Sequence, residues 1–301
     1  MERRYRIYQV DSFTRNRFRG NPAGVVPDAQ GLTERQMQEL ARELNNSETA
    51  FILPADGKDH DVQVRFFTPI TEVPICGHAT VAAHYVRAIE CQMPTATVLQ
   101  KVGVGILPVE VVKEGHDYQI VMTQGRSEFS GLVEGGNRES LLSALGLRED
   151  DLDDRCPVEH VSTGHSKVII GIKSRAKLNS LTPDMGLLKR LDGELRCGGY
   201  FVFTFDSDDF EILTHARMFA PQIGINEDPV TGMGNGPLGA YLVKNKLVKL
   251  GGRTFTFKGQ QGEAIKREGI AHVVVEIESD WPVKVKVGGE AVIAFQTEVI
   301  L

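Results

Sequence analysis

The chain has 301 residues, of which 41% are hydrophobic and 25% charged, values typical of a globular protein long enough for two cores. The 34 lysines and arginines against 40 aspartates and glutamates give a net charge of −6, which argues against nucleic acid or an anionic membrane as the main partner. Four scattered cysteines without a C-x-x-C pair argue against a zinc cage or redox motif and favour a cytoplasmic protein with reduced thiols.

The first predicted element is a strand over 5–10, which begins without an apolar signal core. No stretch of the sequence approaches the ~20 apolar residues that a membrane-spanning helix needs. A glycine-led turn then enters the β-branched strand GNPAGVV at 20–26. Next, Thr33 and Gln36 have the spacing of a capping box, which predicts that a helix begins there.

Strands are predicted over 62–67, 105–112 and 118–122, because apolar and β-branched residues alternate there. Between the first two lies the turn 74–79, PICGHA, which opens a helix rich in alanine. Small side chains along a helix permit close packing of its backbone. We therefore predict that a sheet wraps around this helix.

The second half of the chain repeats this pattern in the same order. A glycine-led turn enters a strand at 164–170, a helix and strand follow over 182–204, and a proline-glycine turn opens a helix at 229–240. Further strands are predicted over 273–277 and 283–287. The sequence thus predicts an α/β fold of two diverged lobes, each a curved mixed sheet around a central helix. We place the N-terminal lobe at 1–117 with a returning strand at 295–301, and the C-terminal lobe at 118–294.

Two predicted helix starts, Gly77-His78 and Gly232-Met233, carry the first functional hypothesis. The free amide groups and partial positive charge at such starts attract anions. If pseudo-twofold symmetry brings the two starts together in a cleft, they can hold a small carboxylate without arginine or lysine. The alternative is that both are ordinary turns in which glycine permits tight packing.

Glu48 has no equivalent in the second copy of the repeat. The corresponding region there, Cys197-Gly198-Gly199-Tyr200, contains no acidic residue. A carboxylate in one copy only, between Ser47 and an apolar strand, suits general acid–base catalysis. The alternative is a solvated surface glutamate.

His78 and Asp228 are further candidates, since each flanks one of the proline-glycine turns. His78 and His84 are six residues apart and do not share a helix face, so no metal site is expected. The stretch 102–105 lacks the third glycine and the helix of a dinucleotide fingerprint, so no nicotinamide cofactor is expected either.

Five stretches give the chain a family resemblance that covers nearly its whole length. It resembles the phenazine-biosynthesis PhzF-like isomerases, and within them the YddE-type branch, through GNPAGVV, NSETAFIL, RFFTPITEVPICGHATVAAH, STGHSKVII and RMFAPQIGINEDPVTG. The resemblance implies a diaminopimelate-epimerase-like fold, a site between two lobes, cofactor-free proton-shift isomerisation and a homodimer.

The resemblance also implies roles for individual residues. The glutamate matching Glu48 moves the proton, the residues matching His78 and Asp228 line the substrate, and Gly77 and Gly232 present amides. Ser47, Cys76 and Met233 complete the residues that we expect to contact substrate. Met233 stands where PhzF has a substrate-contacting serine; because methionine cannot replace a hydroxyl donor, the phenazine precursor is not expected as the substrate.

The related two-thiol epimerases use one cysteine from each lobe, but here the repeat sets Cys76 opposite Thr231. Racemisation by a thiol pair is therefore not expected, and Cys76 is interpreted as a buried relic. The leading hypothesis is an isomerase that shifts a proton on a small carboxylate through Glu48. Two alternatives stay open: a one-thiol epimerase or dehydratase using Cys76 with Glu48, and a catalytically silent module that binds a small molecule or a protein.

Overall fold

The structure is a computed structural model that describes residues 3–301 and divides into two compact units. Unit 1 contains Met1–Thr123 and Gly288–Leu301, and unit 2 contains Gln124–Val287. The sequence placed these divisions at 117/118 and 294/295. The first division lies later because the strand Asp117–Thr123 hydrogen-bonds to the strand before it and so stays with unit 1.

Unit 1 contains eight strands, two helices and most of the last strand of the chain. The strands are β1 (Arg4–Ser12), β2 (Asn21–Val26), β3 (Thr49–Pro54), β4 (Val62–Phe67), β5 (Glu72–Val73), β6 (Ala96–Val102), β7 (Gly105–Glu114) and β8 (Asp117–Thr123). The helices are α1 (Glu34–Leu44) and α2 (Gly77–Cys91). The last strand, β17 (Trp281–Ile300), begins in unit 2 and ends in unit 1.

The strands of unit 1 form a mixed sheet that closes on itself. β2 and β3 run parallel, β3 and β4 antiparallel, β4 and β6 parallel, and β6, β7 and β8 antiparallel in turn. β1 pairs antiparallel with β2 and β17, and β17 also pairs with β8. This closure leaves room for one helix inside the ring.

Helix α2 packs against β1, β2, β3, β7 and β8 and is buried over most of its circumference. Ala79, Ala82, Ala83 and Ala88 are each 0% exposed, so the small residues do allow the sheet to wrap the helix as predicted. Helix α1 covers another face of the sheet through Met37, Leu40 and Ala41. The predicted Thr33–Gln36 capping box is confirmed.

Unit 2 contains eight further strands and four helices. The strands are β9 (Glu128–Leu132), β10 (Glu159–Ser162), β11 (Ser166–Ile172), β12 (Tyr200–Thr204), β13 (Ile212–Ala220), β14 (Ile225–Asp228), β15 (Thr254–Gln261) and β16 (Gly269–Glu278). The helices are α3 (Gly135–Leu145), α4 (Arg175–Ser180), α5 (Met185–Leu195) and α6 (Gly232–Lys244).

The sheet of unit 2 surrounds α6, which packs against β10, β11, β15 and β16. β11 and β12 run parallel, β12 and β13 antiparallel, β13 and β15 parallel, and β15 and β16 antiparallel, which is the order of β2, β3, β4, β6 and β7 in unit 1. Glycines let α6 approach its sheet: a Cβ on Gly234 would lie 2.4 Å from the Phe201 ring, and one on Gly239 would lie 2.8 Å from Val273.

The prediction of two α/β lobes, each a mixed sheet around a central helix, is confirmed, and both helices begin at the predicted glycines. The four cysteines are free thiols. Across residues 3–301, none of the helices has both the length and the apolar composition needed to cross a lipid bilayer.

Candidate active site

Glu48 lies in the short link between α1 and β3. The link leaves α1 through Asn45, whose left-handed φ of 51° ends the helix. Asn46 and Gln9 exchange two side-chain amide hydrogen bonds of 2.9 Å, which attach the link to β1. The Gly24 amide donates to the Glu48 carbonyl at 3.3 Å, so the backbone of Glu48 is fixed against β2.

His78 lies in the first turn of α2. The residue before the helix, Cys76, has extended backbone angles, and its carbonyl accepts hydrogen bonds from the Thr80 amide at 3.1 Å and the Thr80 hydroxyl at 2.6 Å. The Ser12 hydroxyl donates to the His78 carbonyl at 2.8 Å. These contacts with β1 and within the helix fix the backbone of His78 and therefore the position from which its imidazole extends.

The imidazole of His78 joins the other polar side chains of unit 1 into one cluster. On one side of the ring, Nε2 lies 3.3 Å from Glu48 Oε2 and 3.3 Å from Ser47 Oγ. On the other side, Nδ1 lies 3.5 Å from Cys76 Sγ. The side chains of His78 and Glu48 are only 8% and 13% exposed. We call Ser47, Glu48, Cys76 and His78 the Glu48 cluster.

Glu48 Oε2 is buried and accepts no hydrogen bond from any described residue, although His78 Nε2 is close. Leaving a buried acceptor without a donor costs about 1–3 kcal/mol, so the packing of a stable fold normally avoids it. An oxygen in this state is free to accept a proton from a bound molecule. Three residues of the Glu48 cluster, Glu48, Cys76 and His78, have potential metal-ligand atoms that all lie within 4.8 Å of one another. These three are the residues of the cluster able to hold a metal ion.

The start of α2 adds a second feature beside this cluster. The Cys76 side chain makes no capping hydrogen bond, and the first amides of a helix have no acceptor within the helix. A Cβ on Gly77 would meet only Met122 Cε, at 3.8 Å, among the described residues. Packing therefore does not require glycine there, and its missing side chain leaves the amides approachable by an anion.

Asp228, Gly232 and Met233 form a separate group in unit 2. Thr231 donates its hydroxyl to Asp228 Oδ2, while Gln261 Nε2 donates to the Asp228 carbonyl at 2.7 Å. Gln124 Nε2 donates to the Gly232 carbonyl at 2.9 Å. Thr231 has no side-chain cap bond to α6, so this helix start resembles that of α2.

Of the expected site residues, the structure brings together Ser47, Glu48, Cys76 and His78, with Gly77 between the last two. The sequence did not predict the partly buried Gln124 or the buried Gln261, since no motif distinguishes a glutamine that orders a helix start from one at the surface. The roles of all these residues in binding or catalysis stay predictions.

Comparison with known proteins identifies close relatives along the whole chain. The family described as phenazine biosynthesis-like protein, PhzC-PhzF, matches residues 10–297. The chain is similar to an uncharacterized isomerase of Clostridium acetobutylicum, with 55% identity over 301 residues and 100% of both chains covered. It is also similar to the uncharacterized isomerase YddE of Escherichia coli K12, with 46% identity and 97% of each chain covered.

Solved structures agree with this fold. A Bacillus anthracis phenazine biosynthesis protein of the PhzF family is 30% identical and superposes with a TM-score of 0.90, covering 99% of this chain and 100% of that one. A hydroxyproline epimerase from Agrobacterium vitis shares the fold at 14% identity, with a TM-score of 0.62 and coverage of 99% and 93%.

Proposed function

Because the chain belongs to the phenazine biosynthesis-like PhzC-PhzF family, an isomerase family, we propose that it isomerises a small carboxylate by moving a proton through Glu48. In this proposal Glu48 removes a proton from one carbon of the substrate and returns it to another. No cofactor takes part, because the carboxyl group that accepts the proton also stores it between the two steps.

The buried, unsatisfied Oε2 of Glu48 is the single observation that carries this proposal. A surface glutamate would be solvated and a structural one would be hydrogen-bonded, whereas this oxygen is shielded and accepts no hydrogen bond from any described residue, even from His78 Nε2 at 3.3 Å. His78 Nε2, 3.3 Å from Glu48 Oε2, is proposed to orient the carboxylate, and Ser47 Oγ, 3.3 Å from the same nitrogen, is proposed to orient the imidazole. The amides at the start of α2 are proposed to hold the substrate carboxylate, whose negative charge the helix end favours.

Asp228, Gly232 and Met233 are proposed to contact the substrate as well, on the strength of the family resemblance. Met233 supplies only an apolar surface with a weak acceptor sulfur, so the substrate should present no group there that requires a hydroxyl donor. We also propose a homodimer, which sedimentation velocity of the purified chain would test.

The experiment that tests the proposal is proton exchange in D₂O, followed by NMR on a panel of amino acids and unsaturated carboxylic acids. The native protein is expected to exchange a carbon-bound proton of at least one compound. Glu48→Gln keeps the shape but cannot carry the proton, so exchange should fall by ~10²–10⁴-fold, the usual contribution of a general base. Glu43→Gln, at an exposed position on α1, is the matched control and should keep full exchange.

Exchange that survives in Glu48→Gln would refute this proposal. If the native protein binds compounds of the panel but exchanges none of their protons, the chain acts as a binding module on an isomerase fold.

A second candidate reaction has one specific observation in its favour. Cys76 Sγ lies 3.5 Å from His78 Nδ1, and a thiol beside an imidazole can be deprotonated to a nucleophile or base. Cys76 was expected to be a relic of a thiol pair, yet it contacts the imidazole that Glu48 also approaches. A one-thiol epimerase or dehydratase therefore stays the alternative.

A further inference from the structure

Lys167 is a lysine buried in the core of unit 2. It lies on β11, is 4% exposed, and is not used by the reaction proposed above. Its Nζ lies 2.9 Å from His165 Nδ1 and donates to the Ser166 carbonyl at 3.0 Å. An ammonium group has three donors, and within residues 3–301 no acceptor is found for the third. Lysine is almost never fully buried unless it is paired.

Backbone pairing shows which position of unit 1 corresponds to this region. In unit 1 the Gly24 amide donates to the Glu48 carbonyl at 3.3 Å, and in unit 2 the Val168 amide donates to the Gly199 carbonyl at 3.0 Å. The residue after Glu48 is Thr49 and the residue after Gly199 is Tyr200. Each of the two begins a strand and pairs with a phenylalanine of the next strand. Gly199 therefore holds the sheet position of Glu48, and the charged side chain comes instead from the neighbouring strand.

Two glycines make the space for this arrangement. Gly199 has a φ of +145°, and a Cβ there would lie 3.3 Å from Lys167 Cδ and 2.3 Å from Met218 Cε. Gly198 has a φ of +62°, and its Cβ would lie 2.1 Å from His165 Cε1. A Cβ at Gly198 would displace the His165 imidazole, and one at Gly199 would displace Met218 and crowd the Lys167 chain. The turn is thus shaped to hold His165 and Lys167 together.

The acidic groups around Lys167 are occupied elsewhere or uncharged. Asp192 accepts hydrogen bonds from the amides of Cys197 and Gly198, and Asp228 accepts the Thr231 hydroxyl. Burial raises the pKa of the Cys197 thiol to about 11, so Cys197 supplies no counter-charge at neutral pH.

The balance of burial and charge keeps Lys167 a cation at neutral pH. Burial lowers the pKa of Lys167 to about 8, although the charges of Asp228 and Asp192 oppose the shift. The ammonium in turn lowers the pKa of His165, which favours a neutral imidazole that accepts its hydrogen bond.

The segment around Lys167 borders the start of α6. Met233 Cε lies 3.7 Å from the place of a Cβ on Gly164, three residues before Lys167. Thr163 donates its hydroxyl to Gln124 Oε1 at 2.6 Å, and Gln124 donates to the Gly232 carbonyl. A buried cation and a helix N-terminus in the same region both favour a negatively charged ligand.

We propose that Lys167 is an anion-binding residue of unit 2, whose ammonium donates its remaining hydrogen bond to a carboxylate or phosphate oxygen of the ligand. The inference rests on the proposed function and deepens it, because it names the class of ligand, an acid, that unit 2 recognises. Lysine serves here as a positioning and specificity residue, with no bond made or broken at its nitrogen.

NMR of the full chain with ¹⁵N-labelled lysine side chains tests this directly. The Lys167 signal is assigned by its loss in Lys167→Met, and acetate, succinate and inorganic phosphate are titrated separately. We expect a saturable shift of that signal with carboxylates or with phosphate, and the ligand series that shifts it identifies the acid. A bound anion stabilises the ammonium form, so the pKa of Lys167 should rise in the complex.

Calorimetry on variants provides the matched comparison. Lys167→Met fills the same space without charge and should weaken binding of the active anion by about tenfold or more, whereas Lys173→Met, at an exposed position after β11, should leave it unchanged. If Lys167→Met does not fold, the loss of the same lysine signal in Lys167→Arg supplies the assignment, and the titration of the native protein decides. Absence of a saturable shift, or equal affinity in Lys167→Met, overturns the proposal.

The two proposals fail separately. Glu48→Gln should still shift the Lys167 signal on anion binding, because the two side chains belong to different units. Anion binding at Lys167 without Glu48-dependent proton exchange would sink the isomerase mechanism alone. Glu48-dependent exchange with an unresponsive Lys167 would sink the present inference alone.

Discussion

Cys76 and Thr231 occupy the same place in their units, because each is the residue before the first turn of the buried helix. Their side chains serve different partners: the thiol lies next to His78, and the hydroxyl binds Asp228. The two equivalent positions therefore do not hold a pair of thiols, and their side chains make two unlike polar contacts. In unit 1 this leaves two candidate proton carriers, Glu48 and Cys76, on opposite sides of one imidazole.

Replacing Cys76 by alanine separates these two carriers. If Glu48 moves the proton, Cys76→Ala should reduce the exchange rate by less than about tenfold, since the 3.3 Å contact between Glu48 and His78 does not pass through sulfur. Cys91→Ala, at the exposed end of α2, is the control. The measurement is the same deuterium exchange assay. A loss as large as that of a general base in Cys76→Ala, with exchange retained in Glu48→Gln, would favour the thiol mechanism.

At the scale of elements, the sequence predicted best what local signals specify. The capping box of α1 and the proline-glycine turns before α2 and α6 are encoded within a few residues. Glu48 and His78 meet only because β3 pairs with β2 while α2 packs inside the same sheet, and no local pattern contains that approach. Lys167 was not predicted for a similar reason. Its surroundings depend on Gly198 and Gly199, which precede a different strand, β12.

The start of α2 yields a prediction that separates binding from folding. In Gly77→Ala the new methyl would meet only Met122 Cε, at 3.8 Å, so the melting temperature should be unchanged or slightly higher. The methyl should hinder an anion from reaching the amides, so binding of a carboxylate should weaken by about tenfold. Calorimetry and thermal unfolding measure the two effects.

Gly103→Ala, in the turn between β6 and β7, is the control in which an added methyl group is expected to destabilise the fold. Its Cβ would lie 2.7 Å from Pro74 Cα, and a backbone atom cannot move aside as a flexible side chain can. This variant should unfold at a lower temperature than the native chain. Unchanged anion binding in a well-folded Gly77→Ala would count against the start of α2 as a binding element.

On the scale of the whole molecule, the two ends of the chain are held together. β1 and β17 pair from Arg4 with Ile300 to Ser12 with Ala291, so unit 1 lacks a strand until the last residues are present. The intervening chain of unit 2 folds from one continuous segment. Contacts of such long sequence separation slow folding, which makes closure of unit 1 the expected late step.

The stability of the whole chain should respond to acid through His84, which is buried within α2. The side chain is 1% exposed, its Nε2 lies 3.0 Å from Gln100 Oε1, and its Nδ1 is buried without a hydrogen bond. Burial lowers the pKa of His84 from 6.5 to about 4. Between these values the unfolded chain binds a proton that the folded chain does not, so the free energy of unfolding falls as the pH decreases from 6.5 towards 4.

Each unit of pKa difference corresponds to about 1.4 kcal/mol, so the full decrease from this residue is about 3 kcal/mol. Denaturant unfolding at a series of pH values measures it. His84→Gln keeps a neutral donor for Gln100 and removes the titration, so its free energy of unfolding should fall less steeply over this range. His116→Gln, at an exposed turn, should follow the native curve. Parallel curves for the native chain and His84→Gln would show that the acid response arises elsewhere, because the group with the depressed pKa would then have been removed without effect.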